Sequence, residues 1–109
     1  MTGTADRDGQ LRARWRDLVE RRLPDAAPAH PHWPVTLDHC FARILLDCSC
    51  GRPWREVVRP PAWRNLPDGE LARALALGEA VLAGSADLGE LNRRSLALRR
   101  AGRHPAAGP

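Results

Sequence analysis

His39, Arg43 and Asp47 are spaced four residues apart, with Cys40 beside the first of them. Residues four apart share one face of a helix, so an imidazole, a guanidinium and a carboxylate would form one polar stripe there. These types suit two kinds of chemistry. Arg43 and His39 could bind an anionic group, with Asp47 orienting the guanidinium. His39 or Asp38 could instead act as acid or base in a small enzyme. The structural alternative is a hydrogen-bond network tying this helix to the proline-rich segment before it and to the Trp54 segment after it. Leu37, Cys40, Phe41, Ile44, Leu45 and Cys48 occupy the remaining faces. A helix apolar on most sides is normally buried, and its polar groups then need partners.

Other chemistries fit less well. His30, His32, His39, Cys40, Cys48 and Cys50 are the right ligand types for zinc. None of their pairs shows the C-x2–4-C or H-x3–5-H spacing of structural sites, so no metal is expected. His39 and Cys40 are neighbours on a helix and face about 100° apart, so they cannot pair as base and nucleophile. Cys40 and Cys48 fall on the apolar face of Ile44, where thiols act as small hydrophobes. Four tryptophans stand against one phenylalanine and no tyrosine. Trp33, Trp54 and Trp63 lie in proline-rich joints, where they can pin irregular backbone or wall a pocket.

The elements that position these groups follow from pattern. Leu11, Trp15, Leu18, Val19 and Leu23 mark an amphipathic helix from about residue 6 to 22, with Pro24 ending it. Residues 24–34 hold four prolines and read as an extended connector. The central helix runs over about 37–49, with Thr36 as cap and Gly51 as its stop. Pro53, Pro60, Pro61 and Pro67 break residues 51–67 into short turns around Trp54 and Trp63. Asp68 can cap a third long helix, from Gly69 to about Ala83, in which Gly78 implies close approach of another backbone. Gly84 stops it, and Ser85 or Asp87 starts the last helix, with Leu88, Leu91 and Leu98 inward. No segment alternates as a half-buried strand must. The expected fold is all-α: about four helices with proline-rich irregular joints. Residues 6–101 are expected to form one domain, with 1–5 and 102–109 expected to be disordered.

Composition narrows the function classes. The 109 residues suffice for one domain with little room for a deep cleft and a second unit. The net charge is +4, and all 17 basic residues are arginine. Residues 1–50 are neutral, and the excess gathers at Arg93, Arg94, Arg99, Arg100 and Arg103. Cations at the end of a helix oppose its dipole, so nucleic-acid binding is not required to explain them. Three cysteines within eleven residues do not make a disulfide framework. No apolar run reaches the roughly 20 residues of a membrane span, and a cytoplasmic location is expected.

The run WPVTLDHCFARILLD, the following GRPW, the segment RPPAWRNL and the helix LARALALGEAVL resemble a group of short bacterial and fungal proteins. Members of that group are often labelled GNAT-type N-acetyltransferases, and the resemblance covers about residues 30–100. It implies acetyl transfer with acetyl-CoA as cofactor. The GNAT fold holds that cofactor with a Gly-rich R/Q-x-x-G-x-G/A turn after a strand. This sequence has neither, so no acetyl-CoA residue carries over, and from the residues themselves no cofactor is expected.

The leading expectation is a binding or accessory module for a protein or small-molecule partner. Its surface would be formed by Trp33, His39, Arg43, Asp47 and Trp54. A small enzyme using His39 or Asp38 is the alternative, and a nucleic-acid binder through the C-terminal arginines the third.

Overall fold

A computed structural model describes the backbone of residues 4–103 and the side chains of residues 9–101. The fold is all-α. Its helices are α1 (Thr4–Asp17), α2 (Leu23–Ala26), α3 (Asp38–Cys50), α4 (Ala62–Asn65), α5 (Asp68–Ala83) and α6 (Leu88–Arg103). Of the segments expected to be disordered, residues 1–3 and 104–109 lie outside the described residues. The helices begin at Thr4 and run to Arg103. No helix among the described residues is long and apolar enough to cross a membrane.

Helix α3 is the centre of the molecule. It packs on α5, on α6 and on the turn that follows α1. Phe41, Ile44 and Leu45 are fully buried, and Leu46 nearly so. Each such side chain contributes about 1.5–3 kcal/mol by leaving water. Trp15, Leu18, Val19, Leu71, Leu75 and Leu88 complete much of one continuous core. Gly78 is a point of close approach, but to the side chains of Leu18 and Leu45 rather than to the backbone that its place inside a helix implied. A Cβ there would run into Leu18 Cδ2 and stand 3.1 Å from Leu45 Cδ1.

The chain beyond α1 departs from expectation. Pro24 does not end the first helix. The backbone widens into a π-helical turn, Leu18–Arg22, and the Leu23 N–H donates to Leu18 O. Pro24 then sits in the first turn of α2, where a missing N–H costs nothing. Helix α2 runs into a 3-10 turn, Ala27–Ala29, so the first half of the connector is helical rather than extended. Arg22 fixes this bend by donating two hydrogen bonds to Glu79 on α5, at 2.8 and 2.9 Å. That pairing holds the Glu79 carboxyl below its ordinary range.

Helix ends follow local chemistry. Gly51 and Gly84 take left-handed backbone, with φ of 74° and 81°, and terminate α3 and α5. Asp87 caps α6, its Oδ1 accepting from the Gly89 N–H at 2.9 Å. Thr36 does not cap α3. Leu37 holds the cap position without a side-chain bond, and its carbonyl accepts from the Cys40 and Phe41 N–H groups. Asp68 is the first residue of α5 rather than its cap, and its carboxylate pairs with Arg12 at 2.9 Å.

Candidate functional site

The polar stripe of α3 divides into two parts. Its C-terminal part is buried and fully bonded. Asp47 has no solvent exposure. Its Oδ2 accepts from Ser95 Oγ at 2.7 Å and from Arg99 Nε at 2.6 Å. Its Oδ1 accepts from the Trp54 N–H at 2.9 Å and from Arg99 Nη2 at 3.2 Å. A carboxylate with four donors and a guanidinium partner satisfies the condition for burying charge. Asp47 therefore ties α3 to α6 and to the start of the 3-10 turn Trp54–Glu56.

Arg43 was expected to be oriented by Asp47. It is not in direct contact with it. Arg43 Nη1 donates to Ser95 Oγ and Nη2 to Asn92 Oδ1, both at 2.8 Å. Ser95 relays the connection, accepting from Arg43 and donating to Asp47. The four-residue spacing does place both groups on the α6-facing side. The side chains of α6 then fill the space between them. Such a chain of bonds strengthens each member. Among the described residues no buried side-chain nitrogen or oxygen lacks a partner.

The N-terminal part of the stripe is open. The His39 side chain is 75% exposed, and its Nδ1 lies 3.4 Å from Asp38 Oδ1. The same Asp38 oxygen accepts from the His39 N–H at 2.7 Å. His39 thus reaches neither the proline-rich connector nor the Trp54 segment through a hydrogen bond. Helix α3 begins outside the core, and Leu37 at its entrance is itself 56% exposed.

Asp38, His39 and Arg43 edge a cleft of about 240 Å³ between α1, α3 and the joint before α5. Trp15, Val19, Ala42 and Leu46 supply its apolar lining, and Trp54 and Trp63 wall it from the joint side. Arg16 and Glu20 stand on the α1 side and pair at 3.1 Å. The Arg16 guanidinium also lies over the Trp63 ring, 4.8 Å from its centre. Among the described residues no hydroxyl, thiol or amine side chain lines the cleft.

Trp33 does not belong to this cleft. It follows a turn in which its N–H donates to His30 O at 2.9 Å, and it is absent from the cleft lining. Its ring stacks on His30 at 4.3 Å and meets the edge of Phe41 at 5.8 Å. There it borders a separate hollow beside the α5–α6 turn, with His30, His32 and Ser85. The expected surface of five residues is therefore split. His39, Arg43 and Trp54 meet at the cleft, Asp47 lies buried away from it, and Trp33 is elsewhere.

The residues left out of that surface are Asn92, Ser95 and Arg99 on α6, and Arg16 and Trp63 at the cleft. A sequence signal for the first three existed. Asn92, Ser95 and Arg99 recur at steps of three and four, alongside the Leu88–Leu91–Leu98 stripe. Arg99 had been grouped with the cations at the helix end. It is half-buried and bonded to Asp47, so the arginines of α6 do not form one free face.

Cys40, Cys48 and Cys50 are free thiols, each half-buried. Burial pushes the Cys48 and Cys50 thiols up, away from the reactive thiolate. Cys48 Sγ instead donates to Leu91 O at 3.3 Å. Among the described residues no three His, Cys, Asp or Glu side chains converge as a metal site would require.

The described residues contain no strand, hence no strand-to-helix turn to cradle a pyrophosphate. The cleft edge carries the carboxylates of Glu20 and Asp38 and the guanidinium groups of Arg16 and Arg43. Compared with known proteins, the chain finds no match among family models, curated proteins or solved structures.

Proposed function

We propose that the chain is a binding module whose cleft receives an apolar side chain of a protein partner. The observation that carries this reading is the cleft itself. It is apolar inside and tryptophan-walled, and its volume of about 240 Å³ falls below the roughly 300–1,000 Å³ of small-molecule sites. A hollow of that size suits one anchoring side chain of a larger surface, the usual form of an interaction hot spot. The rigid network at Asp47 supports the reading too, because it fixes the wall that Trp54 provides.

Acid–base catalysis by His39 is the second reading. It is favoured by the 3.4 Å approach of Asp38 Oδ1 to His39 Nδ1 at the cleft mouth. It is weakened by the exposure of both groups and by the lack of a nucleophile among the described residues of the lining.

A displayed peptide library selected on the folded protein tests the docking reading. Ala42 lines the cleft, and Ala42→Phe fills it. Enriched peptides should share an apolar residue and bind Ala42→Phe at least about tenfold more weakly, a loss of about 1.4 kcal/mol. Circular dichroism of the variant should match the parent. Peptides that bind both proteins equally would place the docking surface elsewhere.

A further inference from the structure

We infer that the partner docking at the cleft is an acidic protein segment, with carboxylates flanking its apolar anchor. This rests on the docking reading and adds the partner's charge. The joint that supplies the two tryptophan walls carries Arg52, Arg55, Arg59 and Arg64 against one acid, Glu56. All four arginines are exposed. Among the described residues none has a carboxylate within salt-bridge distance, whereas Arg16, Arg21, Arg22 and Arg99 each do.

Two of these arginines stand on the walls themselves. The Arg55 guanidinium lies 5.2 Å from the Trp54 ring centre, and that of Arg64 lies 5.5 Å from Trp63. Stacking on an indole holds a guanidinium in place while leaving its N–H edge free to bind a carboxylate in bidentate fashion. Arg55 and Arg64 are thus positioned cations without counter-charges, held on the two indoles that wall the apolar hollow though outside its lining. Two acids line the cleft itself. Glu20 is engaged by Arg16, and Asp38 lies on the α3 side beside His39. Arg93, Arg94 and Arg100 on α6 also lack carboxylate partners among the described residues, but unlike Arg55 and Arg64 they stack on neither tryptophan that walls the cleft.

A nucleic acid would also answer to arginines and tryptophans. It would need free indole faces for stacking bases. Here guanidinium groups already cover Trp54 and Trp63, which favours the peptide.

The test uses short fluorescein-labelled peptides built on the apolar centre from the library selection, flanked by glutamate, serine or lysine. Oligothymidylate serves as the nucleic-acid probe, and binding is read by anisotropy. At low salt the glutamate peptide should bind about tenfold more tightly than the serine peptide, and the lysine peptide more weakly than either. The advantage should shrink to within about twofold near 0.5 M salt. Arg55→Gln/Arg64→Gln should remove it too, while serine-peptide affinity stays within about twofold. Equal affinity for glutamate and serine peptides would overturn the acidic partner and leave the docking reading standing. Loss of binding by every peptide would end both. Tighter binding of oligothymidylate than of the glutamate peptide would assign the rim to nucleic acid.

Discussion

At the first turn of α3, Asp38 and His39 lie in water, 55% and 75% exposed, and touch mainly each other. Two turns later Asp47, the same residue type as Asp38, is wholly buried and accepts four hydrogen bonds. Both carboxylates belong to one helix. The difference is set by what lies across from each. Helix α6 covers the C-terminal half of α3 and brings Ser95 and Arg99 to Asp47. Nothing comparable covers the first turn, which leaves it free to edge a cleft. The lesson is that a polar stripe acquires its role from the neighbouring element, turn by turn. The buried end holds the fold, and the open end borders the surface that meets other molecules.

The sharpest way to break this contrast is to remove the buried carboxylate. Asp47→Ala would leave the Arg99 guanidinium, the Ser95 hydroxyl and the Trp54 N–H without their acceptor. Breaking a buried ion pair from one side costs about 3–5 kcal/mol. The expected outcome in urea melts is a loss in that range, with Trp54 fluorescence altered even below the transition. A loss under about 1 kcal/mol would mean that the network is decoration on a fold held by its apolar core alone.

Arg43 lies between the two regimes, and its prediction sharpens the comparison. Its partners are a neutral hydroxyl and a neutral amide, not a charge. Arg43→Ala therefore leaves no unpaired ion behind. Hydrogen bonds to a charged group contribute about 1.5–3 kcal/mol, so the variant should lose about that much. It should lie between Asp47→Ala and Arg14→Ala, whose side chain is 64% exposed and 3.9 Å from Glu79. Midpoints equal to that of Arg14→Ala would show that the relay through Ser95 does not form in solution.

The elements were legible to different degrees for identifiable reasons. Gly51 and Gly84 announce their helix ends because left-handed backbone needs glycine there. Asp87 announces a cap, since aspartate there accepts from the first free N–H groups. Gly78 announces a close contact, because a helix interior otherwise prefers alanine. Pro24 misleads, because a shift to π-helical bonding in the preceding turn lets the helix run on through it. At the candidate site, the residue types of α3 were readable but their partners were not. Which face of α6 meets α3 is a property of packing between segments some fifty residues apart. Arg99 reads in isolation as a cation suited to a helix end. Only the meeting with Asp47 makes it structural. The cleft has the same origin, for Trp54, Trp63 and Arg16 come together from separate segments.

The smallest expected effect belongs to His39. Its side chain buries little and accepts or donates no side-chain hydrogen bond beyond the long approach to its neighbour Asp38. Exposed substitutions of this kind usually change stability by less than about 0.5 kcal/mol. His39→Ala should therefore melt with the parent, in contrast to Asp47→Ala on the same helix. The substitution also separates the two functional readings. A docking cleft with its apolar lining intact should keep its selected peptides within about threefold after losing one rim imidazole, a change of under about 1 kcal/mol. A site that uses His39 as acid or base would lose about 10²–10⁴-fold in turnover without any change in melting. A His39→Ala protein that unfolds several degrees early would contradict both. It would show that the first turn of α3 is bonded in solution as tightly as the last.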